Sequence, residues 1–130
     1  MPPDVEPDLK LEIAHVLTID VVAYSTLLIQ EQRRVMADLT KIVRHCPTFQ
    51  TAEAASQLIR LPTGDGMALV FFAEPETPLQ CAMEITTGLK SLPHIEVRMG
   101  IHSGPISKVV DVNDNANVAG AGIDVTNEQT

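Results

Sequence analysis

The chain has 130 residues, 45% of them apolar, and a formal charge of −8, which suits one globular domain with a single core rather than a disordered segment. That charge excludes a surface built for nucleic acid or anionic membrane, because both need clustered Lys and Arg. A carboxylate-rich site still accepts a triphosphate when Mg²⁺ lies between the two anions.

No apolar run approaches the roughly 20 residues that span a bilayer, and the N-terminal MPPDVEPDLKLE has no secretory signal pattern. Cys46 and Cys81 form neither a disulfide framework nor a metal-ligand spacing. The expectation is a cytoplasmic protein with reduced thiols, no membrane insertion and no nucleic-acid partner.

Residues 1–11 hold three of the nine prolines and read as a flexible leader, with the ordered domain covering 12–130. Ile13 to Val22 is rich in β-branched and apolar residues and predicts a strand buried on at least one face. Ser25 is the expected N-cap of an amphipathic helix running to about His45, with Leu28, Val35, Leu39 and Ile42 on its apolar face and Pro47 ending it. Thr48 to Ser56 is a connection with room for a short helical turn. Leu58–Pro62 and Met67–Phe72 flank Thr63-Gly64-Asp65-Gly66, a hairpin pattern. Glu76 to Leu92 predicts a second main helix burying Leu79, Ala82, Met83, Ile85 and Leu89, closed by Pro93. Ile95–His102 and Ile106–Val112 are expected as two strands joined by a turn at Ser103-Gly104-Pro105, with a loop over Asn113–Asn117. This order predicts an α+β protein on the ferredoxin-like, split βαβ plan: a mainly antiparallel sheet with helices on one face.

Two residues carry the candidate chemistry. Asp20 lies in an apolar strand, where a carboxylate costs desolvation unless it reaches the sheet end, a partner or a metal. Its plainer reading is a strand-end cap or an ordinary ion pair. Asp65 has a plainer reading too, since Asp-Gly is what a tight hairpin uses. Jointly they say more, because the split βαβ plan sets the hairpin antiparallel beside the central first strand and lets its tip approach that strand's end. The backbone from Val21 to Ser25 then leads into a helix start, whose unpaired N–H groups favour an anion.

Three ordered motifs carry a family resemblance: Asp20-Val21-Val22-Ala23-Tyr24-Ser25, Gly64-Asp65-Gly66-Met67-Ala68-Leu69-Val70-Phe71, and the run from Val97 to Pro105. They resemble, respectively, the Asp-Ile-x-Gly-Phe-Thr strand end, the Gly-Asp hairpin and the Val-Arg-x-Gly-Ile-His-x-Gly-Pro strand of class III adenylate and guanylate cyclase catalytic domains. The resemblance implies that Asp20 and Asp65, with the Val21 carbonyl, hold two Mg²⁺ or Mn²⁺ ions. It further implies that the amides of Ala23, Tyr24 and Ser25 meet the phosphates of ATP or GTP, and that the product is a 3′,5′-cyclic nucleotide with release of pyrophosphate. A homodimer is implied, since the family builds each site from two chains. His102 is read as structural, and Arg98 as a partner for a carboxylate without a catalytic part.

The chain also departs from the family. A base-selecting Lys is replaced by Leu61 and a base-selecting Asp by Asn117. The family's Asn and Arg, which orient the ribose and stabilise the transition-state phosphate, read here as Asp124 and Glu128. An anion there adds repulsion instead of stabilisation. The closing helix and strands of the family lie beyond Thr130, so the resemblance implies a domain incomplete at its C-terminus. The readings that follow are an intracellular signalling cyclase, a non-catalytic cyclase-like module that binds nucleotide or dimerises, and an unrelated ferredoxin-like interaction domain whose Asp residues are structural.

Overall fold

The computed structural model describes residues 9–110 and 116–120, with side chains described over 12–105. β1 (Leu9–Val21) is the central strand. It is followed by a 3-10 turn at Tyr24–Thr26, then α1 (Ile29–His45) and α2 (Pro47–Ala54). The hairpin β2 (Leu58–Pro62) and β3 (Gly66–Phe71) comes next, then α3 (Thr77–Leu89), β4 (Val97–Val110) and β5 (Ala116–Gly120). The sheet runs β2-β3-β1-β4-β5, with every adjacent pair antiparallel. This is the split βαβ arrangement expected from the element order: β3 inserts between β1 and β2, and β1 inserts between β3 and β4.

Alternation along the strands divides the sheet into two faces. Leu17, Ile19 and Val21 of β1 share a face with Met67, Leu69 and Phe71 of β3. The helices pack there through Val35, Leu39 and Val43 of α1, Phe49 and Ala52 of α2, and Cys81, Ile85 and Leu89 of α3, all in one buried cluster. Burying each large side chain of this set contributes roughly 1.5–3 kcal/mol. On the other face Ala14, Val16, Ala68 and Val70 form a smaller buried cluster, with Ile59, Leu61 and Phe72 packed against it. Both cysteines are free thiols in the core.

Four local expectations change. First, β1 spans Leu9–Val21 instead of Ile13–Val22. Second, Ser25 is not an N-cap: it lies in the 3-10 turn, and α1 starts four residues later with Leu28 at the cap, whose N–H is taken by Glu31 Oε1 at 3.0 Å. The longer acid reaches back where the predicted serine cap does not stand, and Leu28 is left 68% exposed. Third, Pro47 opens α2 at a position where the missing N–H has no helical acceptor to lose. Fourth, Ser103-Gly104-Pro105 makes no turn, because β4 runs unbroken and pairs with β1 from Val97↔Val21 to Val109↔Leu9. Among the described residues the β4–β5 ladder begins at Ile106, one residue after Pro105. On α3, Leu79 and Met83 are exposed, at 54% and 62%, while Pro78, Cys81, Ile85 and Leu89 face the core. Of the predicted apolar face, Ile85 and Leu89 are buried and Ala82 packs against the core, so only Leu79 and Met83 depart from it.

Gly66 is the tightest point of the sheet. It pairs with Asp20, and a Cβ added to it would overlap the Ile19 carbonyl of β1. Gly64, at the hairpin tip, has open space around it. Gly66→Ala should therefore cost about 3 kcal/mol or more and Gly64→Ala less than about 1 kcal/mol. Denaturant unfolding of the two variants checks this, and equal losses would contradict it.

Candidate functional site

The hairpin and β1 meet through a backbone bond, Val21 N–H to the Asp65 carbonyl at 2.8 Å. That bond, one residue beyond the Asp20↔Gly66 pair, brings the Asp65 side chain beside Asp20 at the end of the sheet. One oxygen of each carboxylate, Asp20 Oδ1 and Asp65 Oδ1, is buried without a hydrogen-bond partner. Burial raises the Asp20 pKa above its ordinary 3.8, and Asp65 raises it further through its charge and as a partner for a shared proton. Arg98, directly opposite Asp20 on β4, acts in the other direction.

After β1 the backbone is turned outward. Val22 N–H bonds the Glu96 carbonyl at 2.8 Å, and Ala23 takes a left-handed conformation at φ 59. For a residue with a Cβ this conformation costs roughly 1–2 kcal/mol. Among the described residues no backbone acceptor meets the N–H groups of Ala23, Tyr24 and Ser25, whereas those of Thr26 and Leu27 return to the carbonyls of Ala23 and Tyr24 at 3.1 Å each. Gln32 braces this segment: its Nε2 donates to the Tyr24 carbonyl at 3.0 Å, and the Tyr24 hydroxyl donates to the Gln32 carbonyl at 3.4 Å.

Val21, Ala23, Tyr24, Ser25, Gln32, Gly64, Asp65 and Arg98 line one open cleft of about 560 Å³. Asp65 and the predicted phosphate residues are thus brought together in the cleft, and Asp20 lies beside Asp65 without lining the cleft itself. The free N–H groups come from a 3-10 turn rather than from the first turn of a long helix as the sequence suggested. Leu61 lies on the same sheet face as Asp20 but packs against the Ala68 and Val70 cluster. Arg60, next to it on β2, alternates to the helix side with Leu69. Asn117, on β5, pairs through its backbone with Val109 of β4, and falls in a strand instead of the expected loop. Asp124 and Glu128 lie outside the described residues.

Sequence reasoning left out Gln32 and gave Arg98 no part beyond pairing with a carboxylate. The strand register, which the motif alone does not reveal, sets Arg98 across from Asp20. A larger hollow of about 850 Å³ lies between α1 and α3, lined by residues such as Ile42, Met83 and Glu84. It contains none of the predicted site residues, and its size alone does not make it the chemical site.

Two adjacent carboxylates, each with a buried unpaired oxygen, are a donor set for a hard divalent cation, which supplies the missing partner and removes their mutual repulsion. Among the described residues no group of three or more His, Cys, Asp and Glu side chains is gathered. The set therefore fits Mg²⁺ or Mn²⁺ completed by other oxygen ligands, and does not fit a closed cage of protein ligands.

Three solved structures similar to this chain are nucleotide cyclase domains. The first is the guanylyl cyclase domain of the RhoGC fusion protein from the aquatic fungus Blastocladiella emersonii, at TM-score 0.57 and 17% identity, covering 93% of this chain and 75% of that one. Another is the adenylate/guanylate cyclase/hydrolase from Silicibacter pomeroyi, at 0.60 and 23%, covering 92% and 70%. The third is the catalytic core of a rhodopsin-guanylyl cyclase with converted specificity in complex with ATPalphaS, at 0.54 and 18%, covering 95% and 74%. No family model matches the chain, and no curated protein matches it. The chain has the fold of class III adenylate and guanylate cyclase catalytic domains. Among the described residues no helix is long and apolar enough to cross a membrane.

The raised Asp20 pKa fixes the sign of a stability effect. The ionised form is the disfavoured one in the folded state, so the penalty is absent below the ordinary 3.8, grows as pH rises and is complete above the raised value. In a metal-free buffer, Asp20→Asn should melt a few degrees above the unsubstituted protein at pH 7, and the gap should close as pH is lowered toward 3.8. A variant that is less stable at pH 7 would contradict this. Scanning calorimetry across pH reads the difference.

Proposed function

We propose that this chain is a class III cyclase-type domain that binds a nucleoside triphosphate with Mg²⁺ or Mn²⁺ and converts it to a 3′,5′-cyclic nucleotide and pyrophosphate. The observation that carries the reading is the pairing of Asp20 and Asp65, with their partnerless buried oxygens, beside the cleft that Asp65 and the Ala23, Tyr24 and Ser25 backbone line. Asp20 and Asp65 would hold the ions, with the Val21 carbonyl as a further ligand. What a bound pair of ions supplies is charge neutralisation of the triphosphate and activation of the ribose 3′ hydroxyl.

The chain's own groups do the rest. The N–H groups of Ala23, Tyr24 and Ser25 donate to phosphate oxygens as a preformed anion cradle, and Gln32 holds that cradle through the Tyr24 carbonyl. Arg98 lines the same cleft and offers a guanidinium to phosphate, a fork geometry suited to that group. The Asp20 carboxyl must lose its proton before an ion enters, so binding weakens as pH falls through its raised pKa. The likeness in fold and the three ordered motifs support ATP or GTP as substrate class, a homodimer as the working unit, a cytoplasmic location and a part in signalling.

A second reading, a nucleotide-binding or dimerisation module without turnover, is favoured by Leu61, Asn117, Asp124 and Glu128, which stand where the family motif carries Lys, Asp, Asn and Arg. Incubation of the purified chain with Mn²⁺ and ATP or GTP, with product separated by chromatography, decides between them. The catalytic reading expects cyclic nucleotide, lost to background in Asp20→Ala. Calorimetric nucleotide binding without product establishes the second reading, and product formation unaffected by Asp20→Ala would remove the carboxylate pair from the account.

A further inference from the structure

Among the described residues three buried side-chain oxygens lack a hydrogen-bond partner: Asp20 Oδ1, Asp65 Oδ1 and Thr63 Oγ1. All three belong to one corner of the sheet. Two are accounted for by the carboxylate pair, whereas the hydroxyl of Thr63 belongs to no motif and has no part in the reading above.

Its position follows from the register. Leu61 pairs with Ala68 and Pro62 with Met67, and Thr63 N–H continues the ladder by donating to the Gly66 carbonyl at 3.1 Å. Gly66 in turn pairs with Asp20 on β1, and Asp20 with Arg98 on β4. Thr63, Gly66, Asp20 and Arg98 therefore form one row across four strands. Alternation sets Thr63 on the face that carries Leu61 and Asp20, away from the helices. Between Thr63 and Asp20 the row holds only Gly66, which has no side chain and no room for one. With strands about 4.8 Å apart, Thr63 and Asp20 stand two strand spacings apart in this row, and Asp65 follows Thr63 by two residues at the hairpin tip.

A buried hydroxyl without a partner is costly, and an apolar group of the same shape relieves that cost. A valine would fill this site at least as well on stability grounds alone. The hydroxyl is both donor and acceptor, and small divalent ions keep several bound waters when held by one or two carboxylates.

We propose that Thr63 is a positioning residue of the divalent-ion site, its hydroxyl hydrogen-bonding a water in the shell of the ion held by Asp20 and Asp65. This rests on the reading of those two carboxylates as ion ligands. Groups that orient a metal's ligands are typically worth about 10–100-fold in affinity.

The test is titration of the purified full chain with Mn²⁺ alone, followed by electron paramagnetic resonance, together with thermal unfolding in chelator. The unsubstituted protein, Thr63→Val, Thr63→Ser and Asp20→Asn are compared. The expected result is Mn²⁺ binding by the unsubstituted protein, its loss in Asp20→Asn, and binding about tenfold weaker in Thr63→Val. Thr63→Ser, which keeps the hydroxyl, should stay within about twofold. The metal-free melting temperature of Thr63→Val should equal or exceed that of the unsubstituted protein, a direction that a merely structural hydroxyl would reverse.

Unchanged affinity in Thr63→Val, or a fall in its metal-free melting temperature, overturns the assignment of Thr63 while leaving the carboxylate pair in place. Absence of Mn²⁺ binding in the unsubstituted protein, or undiminished binding in Asp20→Asn, overturns both.

Discussion

The bond from Val21 N–H to the Asp65 carbonyl, 2.8 Å long, is the constraint on which the candidate site depends. It closes the hairpin tip onto the end of the central strand, and the tip can come so close only because Gly66 has no side chain to meet the Ile19 carbonyl. Its consequence is unfavourable in isolation: two carboxylates are drawn together and one oxygen of each is removed from water. The core on the helix side offsets this. Leu17, Ile19, Met67, Leu69 and Phe71 alternate with the polar end of the sheet and are clamped by α1, α2 and α3. The same strand thus supplies both the stabilising burial and the destabilising charge, one on each face.

One of the two left-handed non-glycine residues lies at this site, the other being Ser56 after α2. Ala23 holds a left-handed backbone that glycine adopts without penalty, and the family motif indeed has glycine there. The turn it makes frees the N–H groups that follow, and Gln32 fixes their direction. A carboxyl with a raised pKa, two unpaired carboxylate oxygens and a strained residue lie in or beside one cleft. Such clustering is characteristic of sites shaped for a ligand rather than for stability.

Much of the fold was legible in the sequence because each element is locally consistent. The Thr-Gly-Asp-Gly hairpin came out at its expected strands, and the order of strands and helices specified the split βαβ sheet. Where local and tertiary signals conflict, local reading failed. Ser103-Gly104-Pro105 has turn chemistry, yet thirteen residue pairs between β1 and β4 hold it in a strand. Ser25 has cap chemistry, yet Glu31 supplies the cap further along. Leu79 and Met83 are apolar, yet α3 turns them outward while Ile85 and Leu89 of the expected face, with Cys81, meet the core. At the site, Asp20 and Asp65 were legible through their motifs, while Thr63 and the placement of Arg98 across from Asp20 needed the register, since their closeness to Asp20 is a property of strand pairing and not of sequence spacing. The fold and the motifs agree with one another independently, and that agreement is what makes two otherwise ordinary aspartates informative.

The central claim is that this carboxylate pair is an ion site. The most direct measurement is the anomalous scattering of Mn²⁺ in crystals grown with Mn²⁺ and a non-hydrolysable nucleoside triphosphate. The account predicts an anomalous peak coordinated by both Asp20 and Asp65, with phosphate density against the N–H groups of Ala23 to Ser25. Well-ordered crystals in which Mn²⁺ and nucleotide bind elsewhere, with both carboxylates free of metal, would contradict it.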